Sequence, residues 1–139
     1  LCVYVGEDLP GKTMAYKLPE IPEGYNFDVC TIEALVDRMS VRAGRIEVKG
    51  GMSYGALVVQ DRTYISPRAK DKIDSLVRDG ATVIRCDLGE TVVDRLANAG
   101  IAPDATIDSA DRPDDKLYFY HRRTPEADIY FFYNHSDGA

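Results

Sequence analysis

The N-terminal region contains the sequence pattern most specific to a known chemistry. Gly6-Glu7-Asp8-Leu9-Pro10-Gly11-Lys12-Thr13 matches the phosphate-binding loop G-x-x-x-x-G-K-[ST] letter for letter. In such a loop the backbone N–H groups and the lysine bind nucleotide phosphates, and the hydroxyl binds magnesium. Asp61 follows an apolar run and could serve as a second magnesium ligand. On this interpretation the chain is a nucleotide-binding enzyme that contacts phosphate through Gly6, Gly11, Lys12 and Thr13.

Prolines argue against this nucleotide site. A phosphate loop works because a helix begins at its lysine and directs N–H groups and a positive dipole end at the phosphates. Only five residues separate Thr13 from Pro19, so no more than one helical turn can form there. Glu7 and Asp8 would also place negative charge beside the phosphates. The sequence therefore favours a long irregular loop over residues 7–28.

Nucleophilic, metal-dependent and cofactor chemistry lack the residues they need. An amidotransferase-like enzyme would carry a cysteine on the tight turn after its third strand, but residues 60–63 contain neither Cys nor Gly. The three cysteines are widely spaced and form no CxxC or Cys/His ligand pattern. We therefore expect no metal site and no cofactor, and we interpret Cys2 and Cys86 as buried thiols.

A second group of residues that could bind a ligand or form ion pairs lies near the C-terminus. His121, Arg122 and Arg123 share one β-prone run, and Asp128 belongs to the next. We interpret the arginines and the aspartate as groups that pair with or cap structure, and contact of this set with sugar at a domain junction is the alternative. A hairpin could bring His121 close to His135, but spacing fixes no third metal ligand.

Alternating strands and helices must position these residues. Short apolar runs at 1–5, 56–59 and 81–86 are typical of buried parallel strands. A short hairpin is predicted to begin at Arg45 and to lead into the strand at 56–59. Caps and apolar spacing predict helices at 31–39, 67–79 and 91–99. This alternation predicts a mostly parallel sheet with flanking helices, flavodoxin-like or amidotransferase-like, over residues 1–108.

The pattern changes after residue 108. Residues 109–115 are polar and suit a linker, and two aromatic runs at 116–123 and 127–135 predict a C-terminal β-hairpin within 116–139. This hairpin could begin a following β domain. Strand alternation places Tyr118, Tyr120, Ile129, Phe131 and Tyr133 on one face, and Phe119, His121, Tyr130 and Phe132 on the other. We therefore predict that part of the aromatic surface is exposed in this chain and favours self-association.

Composition excludes several function classes. A chain of 139 residues, 45% of them hydrophobic, suits one α/β core. A net charge of −6 disfavours nucleic acid, whose phosphates require concentrated lysine and arginine. No apolar run is long enough to cross a membrane, and no signal peptide is recognisable. The chain begins at Leu1, already inside an apolar run, which we interpret as a cut from a longer protein.

Several segments resemble the α-L-rhamnosidase family of large bacterial glycoside hydrolases. Tyr120-His121-Arg122-Arg123-Thr124, followed by Ala127-Asp128-Ile129-Tyr130-Phe131 and Asn134, is similar to a segment of that family. Residues 24–28, 51–54, 80–83 and 96–103 fit its α/β domain in the same order. In that family a catalytic (β/α)₈ barrel precedes the α/β domain, and β-sandwiches follow it.

The resemblance implies a non-catalytic accessory domain with a structural or cleft-lining role. The family's catalytic glutamates lie on the barrel, so no residue of this chain inherits a catalytic role. The implied partners are neighbouring domains of the parent chain and carbohydrate, and the implied parent is periplasmic or secreted. Two other hypotheses are open: a nucleotide-binding enzyme built on the loop from Gly6 to Thr13, and a stand-alone α/β interaction module.

Overall fold

The structure is a computed structural model that describes residues 1–7, 18–61, 64–87, 90–106, 117–124 and 126–134. The chain divides into two compact units. The first consists of Leu1–Pro22 and Phe27–Ala102, and the second of Glu23–Asn26 and Pro103–Ala139. Among the described residues, no helix is long and apolar enough to cross a membrane.

Strands outnumber helices in the described residues. In chain order the strands are β1 (Cys2–Tyr4), β2 (Asp28–Cys30), β3 (Met39–Arg42), β4 (Arg45–Val48), β5 (Met52–Tyr54), β6 (Leu57–Gln60), β7 (Val83–Cys86), β8 (Leu117–Arg123) and β9 (Asp128–Asn134). The helices are a π-helix (Ala34–Arg38), α1 (Pro67–Arg78) and α2 (Val93–Asn98).

A four-stranded parallel sheet in the order β2-β1-β6-β7 forms the centre of the first unit. All four residues of β6 are buried, which is typical of a parallel strand covered on both faces. The predicted parallel sheet is therefore confirmed. The edge strand β2 was not predicted, because its three residues include the exposed Val29 and form no apolar run.

Helix α1 agrees with the predicted helix at 67–79 to within one residue. The Ser66 hydroxyl accepts a hydrogen bond from the Ala69 N–H at 3.3 Å, and Pro67 occupies the first helical position. Gly80 follows the helix with a φ of +96°, the left-handed conformation that favours glycine. The apolar spacing of this helix predicts one buried face that includes Val77. Ala69, Ile73 and Leu76 are buried as predicted, but Val77 is exposed.

The other two predicted helices are shorter than expected. Helix α2 spans six residues within the predicted 91–99, because Thr91 instead forms a parallel bridge with Glu20. In the predicted helix at 31–39, the Thr31 hydroxyl accepts from the Ala34 N–H at 3.4 Å, as a cap would. The prediction that this helix includes Met39 was wrong. Met39 is the first residue of β3, where it pairs with Val48 and is buried.

A three-stranded antiparallel sheet, β3-β4-β5, belongs to the same unit. The predicted hairpin of β4 and β5 is confirmed. Strand β3 was missed because the turn before β4 consists of Ala43 and Gly44, both at positive φ (+49° and +75°). Alanine rarely adopts that conformation, so the sequence gives little indication of a two-residue turn.

The core of the first unit packs the parallel sheet against α1 and the π-helix. It includes Tyr4, Leu35, Leu57 and Ile73, each fully buried. All three cysteines are buried and free, as interpreted for Cys2 and Cys86. Burial raises the pKa of the Cys86 thiol.

The second unit contains the hairpin of β8 and β9. Its strands pair antiparallel from Leu117 with Asn134 to Arg123 with Asp128. The register pairs Tyr118 with Tyr133, which confirms the predicted hairpin and its predicted alternation of faces. The proposed linker at 109–115 lies outside the described residues.

Candidate functional site

The candidate site is built on two short loops of the second unit, residues 23–26 and 103–106, which we call the loop pair. The Gly24 carbonyl accepts hydrogen bonds from the N–H groups of Asp104 at 2.8 Å and Ala105 at 3.2 Å. Gly24 has a φ of +88°, and a Cβ placed there would lie 2.5 Å from the Ala105 carbonyl oxygen. A side chain at Gly24 would therefore prevent this approach.

Asp104 connects the loop pair to the hairpin. Its Oδ2 accepts from the Asn26 N–H at 2.8 Å, which fixes the carboxylate within the loop pair. Its Oδ1 lies 3.3 Å from Nδ1 of His121 on β8. The Tyr130 hydroxyl, on β9, donates to the Asp104 carbonyl at 3.2 Å. Both strands of the hairpin thus contact the same loop residue.

His121 lies between two carboxylates. Its second ring nitrogen, Nε2, is 2.7 Å from Oδ1 of Asp128, and only 10% of its side chain is exposed. Its ring stacks on the ring of its cross-strand partner Tyr130, with centroids 4.4 Å apart and planes 4° from parallel. A neutral imidazole has one N–H donor, so only the imidazolium can donate to both carboxylates.

Arg123 completes the cluster and interacts with the same carboxylate oxygen. Its Nε donates to Oδ1 of Asp128 at 2.6 Å. This hydrogen bond, followed by that from His121, holds the pKa of the Asp128 carboxyl below its usual range. Asp128 in turn raises the pKa of Arg123. The Arg123 and Asp128 side chains are 68% and 44% exposed, so their attraction is screened by water and contributes little to stability.

Two comparisons with known proteins bear on the family. Residues 1–87 match the glycoside hydrolase family described as alpha-L-rhamnosidase. The protein named "Putative beta-glucuronidase" of Formosa agariphila is 32% identical over 163 aligned positions, which cover 95% of this chain and 14% of the relative. The chain belongs to the alpha-L-rhamnosidase family. The resemblance inferred from the sequence is thereby confirmed.

A solved structure supports the fold of this rhamnosidase-family chain. The rhamnosidase from Novosphingobium sp. PP1Y superposes with a TM-score of 0.67 at 18% sequence identity. The match covers 94% of the present chain and 16% of that protein. This member of the alpha-L-rhamnosidase family therefore spans only a small part of the length of the relatives it matches.

The structure brings together three of the four residues that the sequence singled out near the C-terminus. His121, Arg123 and Asp128 share one face of the hairpin, but Arg122 does not join them. Arg122 lies opposite Ile129 on the other face, and its Nη1 donates to the backbone carbonyl of His121 at 3.2 Å. His135 lies outside the described residues.

Sequence reasoning missed Asp104 and Tyr130 as members of the cluster. Tyr130 could have been found from the hairpin register, because it lies directly opposite His121. Asp104 gives no such signal, because its position depends on hydrogen bonds to Gly24 and Asn26, which are distant in the sequence.

The residues of the predicted phosphate loop are only partly described. Gly11, Lys12 and Thr13 lie outside the described residues, and Gly6 has a φ of +82°. Glu7 has a structural role: its Oε1 accepts from the Tyr4 hydroxyl at 2.7 Å and from the Ser66 N–H at 3.0 Å. Desolvation opposes ionisation of Glu7, but these hydrogen bonds hold its pKa below the usual value.

Asp61, the other residue of the nucleotide interpretation, forms an ion pair with Arg85 at 2.8 Å. In the part of the chain that the structure describes, no group of three or more His, Cys, Asp or Glu side chains could hold a metal ion. The nucleotide hypothesis therefore depends on the loop residues that are not described.

Proposed function

We propose that this chain is a non-catalytic accessory domain of a larger glycoside hydrolase, with a structural or cleft-lining role. The observation that supports the proposal is the small share of each relative that this chain covers. The chain corresponds to 14% of the Formosa relative and 16% of the Novosphingobium rhamnosidase, so most of each relative lies outside the matched region. Glycosidases generally need two carboxyl groups held across the scissile bond. The carboxylates of the candidate site are instead bound to His121 and Arg123.

The proposed substrate of the longer protein is a glycoside. The family description refers to rhamnosides and the Formosa relative is named for glucuronides. Rhamnosides and glucuronides differ in charge. We therefore propose only that the substrate contains a glycosidic linkage, without naming the sugar. The residues of this chain that we propose to contact sugar or a neighbouring domain are His121, Arg123 and Asp128. Arg122, on the opposite face, would make such a contact independently of them.

We assign residues 1–108 to the α/β domain, 109–115 to a linker and 116–139 to the hairpin that begins a following β domain. Neighbouring domains of the same polypeptide are the proposed partners. The exposed face of the hairpin supports this, because Tyr120, Ile129 and Phe131 are each more than half exposed there. Apolar surface of this kind commonly marks an interface.

The α/β domain is proposed to be flavodoxin-like or amidotransferase-like. Numbered among themselves in chain order, the four parallel strands β1, β2, β6 and β7 lie in the order 2-1-3-4. This order agrees with the first four positions of the flavodoxin-like sheet, 2-1-3-4-5. The three-stranded antiparallel sheet between β2 and β6 would then be an insertion into that pattern.

The test of the accessory role is hydrolysis of aryl glycosides. The purified 139-residue chain is incubated with nitrophenyl α-L-rhamnoside and nitrophenyl β-glucuronide, and we expect no release of nitrophenol above the blank. In the longer hydrolase, Asp104→Asn and Asp128→Asn are expected to leave kcat within about tenfold, because removing a general acid or base typically costs about 10²–10⁴-fold.

The matched control is Asp37→Asn, which breaks a surface ion pair with Arg68 in the first unit. A loss of kcat above 10²-fold in Asp104→Asn or Asp128→Asn, with the control unchanged, would assign catalysis to this chain. Release of nitrophenol by the 139-residue chain, abolished by either substitution, would lead to the same conclusion.

A further inference from the structure

We propose that protonation of His121 strengthens the attachment of the hairpin of β8 and β9 to the loop pair. The hairpin is then attached more tightly at acidic than at alkaline pH. This attachment consists of contacts within the chain, so the proposal is independent of the accessory role proposed above. It rests on the position of the imidazole between Asp104 of the loop pair and Asp128 of the hairpin.

The geometry suits the imidazolium form. Both ring nitrogens lie within hydrogen-bonding distance of carboxylate oxygens, at 3.3 Å for Asp104 and 2.7 Å for Asp128. The ring is nearly buried, and one of its faces is covered by Tyr130. When the imidazole loses a proton, one nitrogen becomes an acceptor that faces a carboxylate, and that contact changes from attraction to repulsion.

The contact with Asp104 is the one that would be lost. The contact with Asp128 is 0.6 Å shorter (2.7 against 3.3 Å), so the remaining proton is better placed on Nε2. Asp128 lies on β9, within the hairpin, whereas Asp104 lies on the loop pair. Deprotonation therefore leaves the hairpin internally intact and weakens its attachment to the loop pair. The hydrogen bond from Tyr130 to the Asp104 carbonyl remains.

The charged and titratable groups around His121 come from three elements. Asp104 faces it from the loop pair, Asp128 and Tyr130 from β9, and Arg123 follows on the same face of β8. Arg122 binds the backbone carbonyl of His121 from the opposite face. The guanidinium of Arg123 donates to Asp128 and partly neutralises its charge. Asp104 is therefore the carboxylate whose interaction depends most on the His121 proton.

Amide hydrogen exchange of β8 and β9 in the 139-residue chain measures the attachment. An isolated two-stranded hairpin is marginally stable in water, so protection of its amides depends on docking to the loop pair. Imidazole side chains change charge between about pH 5 and 8. After correction for intrinsic rates, we expect the opening constant to rise roughly tenfold between about pH 5 and pH 8.5, the effect of losing one charged hydrogen bond. A constant that changes less than about twofold over this interval would overturn the proposal.

Variants distinguish the effect of His121 protonation on the opening constant from general effects of pH. Asp104→Asn removes the charge and keeps one of the two acceptor oxygens that serve Asn26 and His121, so its opening constant is expected to be independent of pH. Tyr130→Phe removes the hydroxyl but keeps the stacked ring, so protection falls equally at both pH values and the tenfold ratio is retained. The control Asp37→Asn should also retain it. A tenfold rise that persists in Asp104→Asn contradicts the proposal.

The tautomer of His121 provides a measurement that needs no variant. Long-range ¹H–¹⁵N spectra of the unmodified chain should show both ring nitrogens protonated at acidic pH. At alkaline pH we expect a proton on Nε2 only, directed at Asp128. A proton retained on Nδ1 instead would preserve the contact with Asp104 and would overturn the proposal even if Asp104→Asn failed to fold.

Discussion

Replacing Gly24 with alanine tests whether close approach of backbone in the loop pair supports the hairpin. Gly24 has a φ of +88°, and its new Cβ would lie 2.5 Å from the Ala105 oxygen and 3.1 Å from the Pro103 side chain. Left-handed backbone costs a residue with a Cβ about 1–2 kcal/mol. Overpacking against backbone adds about 1–3 kcal/mol, because the carbonyl cannot rotate away as a side chain could. We expect Gly24→Ala to destabilise the second unit by about 2–5 kcal/mol.

Gly80→Ala is the matched control for this prediction. Gly80 has a φ of +96°, close to that of Gly24, but a Cβ there would meet no atom within 4 Å. It should therefore show only the backbone cost of about 1–2 kcal/mol. The difference between the two variants isolates the contribution of the close approach.

Native-state hydrogen exchange can measure both variants, because each glycine lies in a different unit. The amides of β8 and β9 report the free energy of opening for Gly24→Ala, and those of α1 report it for Gly80→Ala. Equal costs for the two substitutions would refute the reasoning, since the loops would then have room for a side chain. The Asn26 amide, bound to Asp104, should also lose protection in Gly24→Ala.

Three further predictions concern the core, the ion pair and the exposed face. Ile73→Ala, at a fully buried position, should lower the free energy of unfolding in urea by about 2–5 kcal/mol, whereas Val77→Ala on the exposed side of α1 should change it by no more than about 0.5 kcal/mol. Arg123→Gln should raise the pKa of Asp128 towards the usual aspartate value, as followed by ¹³C NMR, because Arg123 is the main cause of its lowered pKa. In the unmodified chain this carboxylate stabilises the folded state above about pH 4, and that contribution is lost as pH falls through its lowered pKa. Phe131→Asp should reduce concentration-dependent self-association in sedimentation velocity, because the Phe131 side chain is 63% exposed; equal behaviour of both proteins would exclude this face.

Local signals explain which elements the sequence predicted. Helix α1 was placed to within one residue because Ser66, Pro67 and Gly80 act on their own neighbours. Strand β2 was missed because its three residues depend on pairing with β1, which lies far away in the sequence. Met39 was assigned to a helix because its apolar spacing continued that of the preceding residues, and only pairing with β4 shows it as a strand residue.

The same distinction applies to the candidate site. The sequence indicated Arg122, Arg123 and Asp128 as pairing or capping groups, and the hairpin register places Arg123 and Asp128 directly opposite each other, joined by a hydrogen bond. Asp104 could not be predicted, because its position depends on Gly24 and Asn26. Sequence spacing thus revealed His121, Arg123 and Asp128 on the hairpin, but neither Tyr130 opposite His121 nor the residues that the loop pair contributes.

The polar cluster also explains how an aromatic hairpin acquires a single register. Aromatic side chains occupy both faces of β8 and β9, so a slip of one residue would exchange the faces with little change in apolar character. The charged groups remove this ambiguity. In the observed register Arg123 lies opposite Asp128, and His121 stacks on Tyr130 within reach of both carboxylates. A one-residue slip would direct His121 away from Asp104 and break the cluster. The nearly buried imidazole of His121, in contact with both carboxylates, can therefore specify which face of the hairpin meets the loop pair.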